Sequence, residues 1–238
     1  MSVTIGILYP GSAAEDDYPL MERILGQEVS LPVILTTVGV DAHEVGALLD
    51  LGSSDRLIEG AREVAAFSPD VVMWACTSGS FVFGWDGAHQ QVAEITDEVG
   101  IPAASTSIAF AAACQELALD RVAVAATYPE VVSSHFAAFL GKAGITVTEL
   151  VSHDIPTAAM AGRLDHDAVL ELAKSNDSPD AQAVLIPDTA LHTIAWLPEL
   201  EDALGKPVLT ANQVTVWYGL KLAGTPIRSD ILGTVFRG

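Results

Sequence analysis

The chain has 238 residues, half of them apolar and 18% charged, with 31 acidic against 11 basic side chains and a formal net charge of −20. That is enough apolar material for one large domain or two small ones, and too much for a disordered chain. The acidity excludes a general nucleic-acid binder, which needs a basic stripe to displace counterions from phosphate, and it argues against an anionic membrane surface as partner.

The first residues, Met1-Ser2-Val3-Thr4-Ile5-Gly6-Ile7-Leu8-Tyr9-Pro10, lack the basic start and long apolar core of a signal peptide. No apolar run approaches the roughly 20 residues of a spanning helix. The chain reads as a soluble cytoplasmic protein with reduced thiols.

Taken in chain order, Val3–Leu8 is the first short apolar run, closed by Tyr9-Pro10. Glu15-Asp16-Asp17 follows and reads as a solvated helix start, with a cation site as the alternative. Val33–Thr37 is the second run, and Asp55–Ala66 has helical period, with Ser54 or Asp55 able to cap it. Val71–Ala75 leads into Cys76, and Gln90–Glu98 is again amphipathic. The second half supplies the runs Val122–Ala126, Thr146–Leu150, Ala183–Ile186 and Pro207–Thr210. Helical stretches Val132–Ala143, Asp167–Lys174 and Thr193–Leu204 lie between them, with Asp165 or His166 as a cap. Continuous Val/Ile/Ala strands alternating with helices of this length predict βαβ units and a parallel sheet buried on both faces, an α/β protein.

The pattern occurs twice. Each half opens on a strand ending in Tyr-Pro (Tyr9-Pro10, Tyr128-Pro129) and later carries a strand followed by a reactive side chain and a threonine (Cys76-Thr77, Asp188-Thr189). Ligands of open parallel sheets bind beyond the carboxyl ends of the strands, where all four segments fall. Two such halves would face Cys76 toward Asp188 across a cleft. The expected division is residues 1–119 plus 213–238 for one half and 120–212 for the other, the helix Gln213–Leu222 returning to the first half.

Cys76 begins Cys76-Thr77-Ser78-Gly79-Ser80, a turn whose hydroxyls and backbone N–H groups can converge on one point. Such a turn lowers a thiol pKa and stabilises a carboxylate or enolate oxygen; the alternative is a cysteine packed in a buried strand. Cys114 sits in a small-residue helical run and reads as packing. A buried carboxylate at Asp188 needs a bond or a proton, and capping the N–H groups near Thr189-Ala190 would provide one. Tyr9 and Tyr128 are either donors into the cleft or packing residues. His43, His89, His135, His153, His166 and His192 show no metal-ligand spacing and read as surface or hinge residues. No nucleotide-binding glycine motif and no nucleophile elbow is present, so neither a cofactor nor a metal is expected.

Ile5-Gly6-Ile7-Leu8-Tyr9-Pro10, Ala75-Cys76-Thr77-Ser78, Ala103-Ala104-Ser105-Thr106-Ser107, Asp120–Tyr128, Gly205-Lys206-Pro207-Val208 and Leu209-Thr210-Ala211-Asn212-Gln213 together resemble the aspartate/glutamate racemase superfamily. The nearest branch is that of maleate cis-trans isomerase and arylmalonate decarboxylase. The resemblance implies two pseudo-symmetric α/β halves, an active site between them and cofactor-independent chemistry on a small carboxylate or carbonyl compound, with a homo-oligomer left open. Residues on opposite faces of the substrate would move a proton or attack as a thiolate, while hydroxyls and N–H groups hold an enediolate-like intermediate.

By motif, Cys76 matches the first-half cysteine, Thr77 and Ser78 the carboxylate-holding turn, Tyr128 the tyrosine opening the second half, and Asn212 an Asn-Gln pair before the last helix. Pro10, Gly11, Ser12 and Thr189 complete the expected binding set. Asp188 stands where the isomerase and the decarboxylase carry their second cysteine. The isomerase's asparagines are absent from Pro10-Gly11-Ser12-Ala13-Ala14 and from the Thr157-Ala158-Ala159 region. An ionised Asp188 repels a substrate carboxylate, which argues against maleate. The resemblance implies an isomerase or racemase using Cys76 and Asp188, with a decarboxylating lyase using Cys76 alone, or a non-catalytic binder, as alternatives.

Overall fold

Each apolar run read as a strand forms one, and the central strands Val71–Trp74 and Ala183–Ile186 are buried along their whole length, Arg121–Ala126 from Val122 onward, because helices cover both faces. The computed structural model describes residues 2–238. The first half runs β1 (Val3–Pro10), α1 (Asp17–Leu25), β2 (Val29–Ser30), β3 (Val33–Thr36), α2 (Val45–Leu51), α3 (Ser54–Val64), β4 (Val71–Trp74), α4 (Ser78–Phe81), α5 (Gly84–Val99), β5 (Ala103–Ser105) and α6 (Thr106–Glu116). The chain continues through β6 (Arg121–Ala126), α7 (Glu130–Lys142), β7 (Thr146–Ser152), α8 (Ala158–Ala161), α9 (His166–Ser175), β8 (Ala183–Ile186), α10 (Leu197–Leu204) and β9 (Val208–Thr210), and then α11 (Ala211–Leu222).

All strand pairs are parallel. In the first sheet β1 is flanked by β4 on one side and by β2 and β3 on the other, with β5 beyond β4. β2 pairs with the start of β1 and β3 with its end, so they are two pieces of one edge strand. The break falls at Pro32, which has no N–H to give the ladder while its carbonyl still accepts from Ile7 N at 2.9 Å. The second sheet has the order β7-β6-β8-β9. Both sheets therefore follow the same order in chain sequence: second, first, third, fourth.

The repeat extends to the helices after the last strands. Ser105 caps α6 through its side chain, and Thr210 with Gln213 forms a capping box on α11. These two helices pack on each other, and Thr106 Oγ1 lies 2.6 Å from Thr215 Oγ1 between them. α11 also lies on β1 and β4 of the first sheet. Gly219 permits that approach, since a Cβ there would fall 2.7 Å from Ile5 Cγ2.

Some local expectations need correction. Asp165 does cap α9, accepting from Ala168 N at 3.0 Å. The cap position of α3 is instead Ser53, without a side-chain bond, while the Ser54 hydroxyl donates to Glu94. Pro198 near the start of α10 shortens the expected helix 193–204, leaving Ile194–Trp196 as a separate 3₁₀ turn. Both cysteines are free. Among the described residues no helix is long and apolar enough to cross a membrane, and no group of His, Cys, Asp or Glu is arranged to hold a metal ion.

Candidate active site

The carboxyl ends of β1, β4 and β8 border one cavity of about 220 Å3. Its wall includes Tyr9, Pro10, Gly11, Ser12, Cys76 and Ser78 from the first half, and Ala158, Ala159, Asp188, Thr189 and Ala190 from the second. Among the described residues no Lys or Arg borders it, and its acids are Asp41 and Asp188. Of the predicted site residues, Cys76, Asp188, Pro10, Gly11, Ser12, Ser78 and Thr189 share this wall; Thr77, Tyr128 and Asn212 lie behind it.

Cys76 follows the fully buried strand β4 and is itself 2% exposed. The turn into α4 aims at its sulfur as anticipated: Gly79 N donates to Sγ at 3.3 Å, and Ser78 Oγ is 3.9 Å away. The expected lowering of the thiol pKa is nevertheless overturned. Burial pushes it up to about 12 against those weak bonds, and the negative charge of Asp188 adds to the rise. Cys76 is a protonated thiol at neutral pH.

Asp188 lies beyond β8 and Pro187 and is 4% exposed. Thr127, at the end of β6, donates its hydroxyl to Oδ2, and Ala190 N donates to Oδ1 at 2.9 Å. Both oxygens are thus acceptors in a short loop, which removes the cost of burying the group without a partner.

The hydroxyls around the thiol are unevenly committed. Thr77 is fully buried and its Oγ1 has no hydrogen-bond partner. Tyr128 donates to Pro187 O at 3.0 Å, and its phenol interacts with the side chains of Thr77 and Ser78. Burial first, then the charge of Asp188, holds the Tyr128 phenol well above its usual range. Tyr9 occupies the equivalent place in the first half, donating to Thr189 O at 2.9 Å and accepting from Ala14 N at 2.9 Å. Gly11 takes the turn after β1 with φ of +70°, a conformation costly for other residues. The Ser12 hydroxyl is committed to Glu15.

Asn212 differs from its expected place against substrate. Its amide is spent inside the protein, donating to Asp17 Oδ2 at 3.0 Å and Thr189 O at 3.2 Å and accepting from Tyr18 Oη at 3.1 Å. It secures the Thr189 carbonyl from behind.

Three residues of this neighbourhood escaped sequence reasoning. Asp17 is buried, not a solvated helix start: it accepts from Asn212 and, at 3.1 Å, from Thr193 N. Burial raises its pKa to about 6. Gln91, on α5, donates to Gly52 O at 2.7 Å and Gly79 O at 2.9 Å, fixing the turn that faces Cys76. His43 is 5% exposed, borders the cavity and meets the Tyr128 ring edge-on at 4.9 Å, so the surface reading fails for it. The only sequence signal for His43 was the apolar stretch Val38-Gly39-Val40 just before it.

A family model described as arylmalonate decarboxylase matches residues 51–236. The chain belongs to the arylmalonate decarboxylase family. It is 27% identical over 172 residues to an arylmalonate decarboxylase from Bordetella bronchiseptica, covering 71% of this chain and 72% of that one. A maleate isomerase from Geobacillus stearothermophilus is 28% identical over 175 residues, covering 71% and 68%. Among solved structures, a liganded arylmalonate decarboxylase with one glycine replaced by cysteine and one cysteine by serine superposes with a TM-score of 0.85. It is 25% identical, and 99% of each chain is covered. The resemblance read from the short motifs and the fold it implied are thereby confirmed, two helix-flanked parallel sheets included.

Proposed function

We propose that this family member is a cofactor-independent isomerase or racemase of a small carboxylic acid. It would move a proton at the carbon beside the carboxylate between Cys76 and Asp188. The observation that carries the reading is a thiol held protonated and a carboxylate that only accepts, both on the wall of one cavity between two sheets. Asp188 takes the proton from the substrate carbon, and the C–H electron pair moves into the carboxylate to form an enediolate. Cys76 Sγ–H then gives its proton to the same carbon from the other face. This leaves a thiolate and a protonated Asp188, which solvent exchange resets.

The Ser78 hydroxyl on the wall holds the enediolate oxygens, with Thr77 and Tyr128 packed behind it as support. Pro10, Gly11, Ser12 and Thr189 shape the wall, and Asn212 supports it. Without Lys or Arg at the wall, one carboxylate is held by neutral donors, and Val38, Leu48 and Leu51 suit an apolar substituent on the substrate better than a second charge. The same proposal divides the chain into 1–119 plus 213–238 and 120–212, with the reaction between the two.

A second reading is favoured by the family match and by the protonated thiol: carbon dioxide leaves first, and Cys76 protonates the enediolate. Recovery of substrate from D2O separates the two. Deuterium at the carbon beside the carboxylate supports isomerisation, and release of carbon dioxide supports the lyase. Either way Cys76→Ala should abolish turnover with an unchanged circular dichroism spectrum; full activity in that variant refutes the assignment.

A further inference from the structure

The cavity is asymmetric in hydrogen-bonding character. The side near Cys76 presents the Ser78 hydroxyl on the wall, with the buried Thr77 hydroxyl behind it. The two acids of the wall are acceptors. Asp188 accepts on both oxygens, and Asp41 accepts from Ala158 N at 2.9 Å and Ala159 N at 3.1 Å, tying the first half to the start of α8.

His43 completes this acceptor side. Its Nδ1 lies 2.7 Å from Ile155 O. A carbonyl oxygen only accepts, so Nδ1 carries a proton, and in that tautomer Nε2 is the acceptor. Nε2 makes no hydrogen bond and is not sealed in among the described residues. The ring is locked in place by the Ile155 bond, by the edge contact to Tyr128, and by its own backbone N–H, which donates to Pro156 O at 2.7 Å. A fixed acceptor on a cavity wall, with no protein donor of its own, is the arrangement that selects a ligand donor.

We propose that His43 is a specificity-determining residue. Its Nε2 accepts a hydrogen bond from the substrate, which is a carboxylic acid carrying a hydrogen-bond-donating substituent, a hydroxyl or an amine, on the chain beside the carboxylate. The inference rests on the proposed function, since it assumes that the carboxylate lies at the donor end. A ligand lacking the donor leaves Nε2 desolvated and unpaired, a loss of about tenfold in affinity for one neutral hydrogen bond.

Calorimetric titration of the intact protein with mandelate, phenylglycine and phenylacetate tests this, because the three differ only in the substituent beside the carboxylate. Wild type should bind mandelate or phenylglycine about tenfold tighter than phenylacetate. Tighter binding of mandelate assigns a hydroxyl, of phenylglycine an amine. His43→Phe keeps an aromatic ring against Tyr128 and should erase the preference while leaving phenylacetate affinity unchanged, which also reports an intact cavity. Equal binding of the three acids to wild type, or an undiminished preference in His43→Phe, overturns the proposal and leaves the proposed function standing. Binding of none of them overturns both. Cys76→Ala should retain the preference, since recognition at His43 does not use the thiol.

Discussion

The protonated state of Cys76 can be measured without knowing the substrate. With the thiol pushed up to about 12 by burial, roughly one molecule in ten thousand carries a thiolate at pH 8, against about a quarter for an ordinary cysteine of pKa near 8.5. A thiolate of higher pKa is the better nucleophile, with a Brønsted slope near 0.45, which recovers roughly 30-fold of that ~2,500-fold deficit. Alkylation by iodoacetamide at pH 8 should therefore be about 50- to 100-fold slower than for a free thiol, and restricted access slows it further. The shape of the pH profile is independent of access. Labelling measured peptide by peptide should rise tenfold per pH unit from 7 to beyond 10 with no plateau. Cys114, fully buried in α6 and also raised to about 12, is not on the cavity wall and should stay unlabelled throughout. A plateau below pH 9 at Cys76 would show that the bonds from Gly79 and Ser78 outweigh desolvation, and would return the residue to the role of a nucleophile.

Two further outcomes test the surroundings. The Asp17 pKa is about 6 in the folded protein against 3.8 for the free group, so the fold binds that proton more tightly. This contribution is fully present below about pH 4 and is lost as pH rises through 6. It is worth about 3 kcal/mol at 1.36 per unit. Urea unfolding between pH 4.5 and 8 should show Asp17→Asn losing less stability with rising pH than wild type, and parallel curves would remove Asp17 from this role. Gly52→Ala places a Cβ 2.1 Å from Gly79 O and 2.6 Å from Gln91 Nε2, an overpacking worth roughly 2 kcal/mol or more. It should lower the urea midpoint and the turnover together, whereas Gly46→Ala, with open space around its Cβ, should do neither.

The fold was legible where one physical cause dominated. Seven apolar runs became strands, the central ones because burial on both faces demands such composition in a parallel sheet. Val29–Ser30 is too short to register as a run, and Ala103-Ala104-Ser105 lacks the branched side chains that mark a strand. The site was legible in its local motifs, Cys76-Thr77-Ser78 and Asp188-Thr189, which sit at strand ends by construction. What escaped was long-range. His43 acquires its meaning from Ile155, 112 residues away, and Asp17 from Thr193, 176 away. The direction of the Cys76 shift escaped for a related reason. The sequence shows the donors beside the sulfur but not how completely the fold excludes water from it.

The placement of one proton links these observations to the choice of reaction. Burial, with the nearby charge of Asp188 added, keeps the proton on the Cys76 sulfur, where only the weak bonds from Gly79 and Ser78 support the anion. Asp188 accepts from Thr127 and Ala190. A racemase needs two resting forms of comparable energy, since the two stereoisomers are attacked from opposite protonation states. A lyase needs only the form with the protonated thiol, because carbon dioxide leaves without a base. The steeper the imbalance between the two forms, the more one-way the chemistry becomes. The alkylation profile of Cys76, repeated with a carboxylate bound, therefore bears directly on the choice. A thiol that stays above pH 10 in the complex favours protonation after decarboxylation, and one that falls toward neutrality supports proton exchange in both directions.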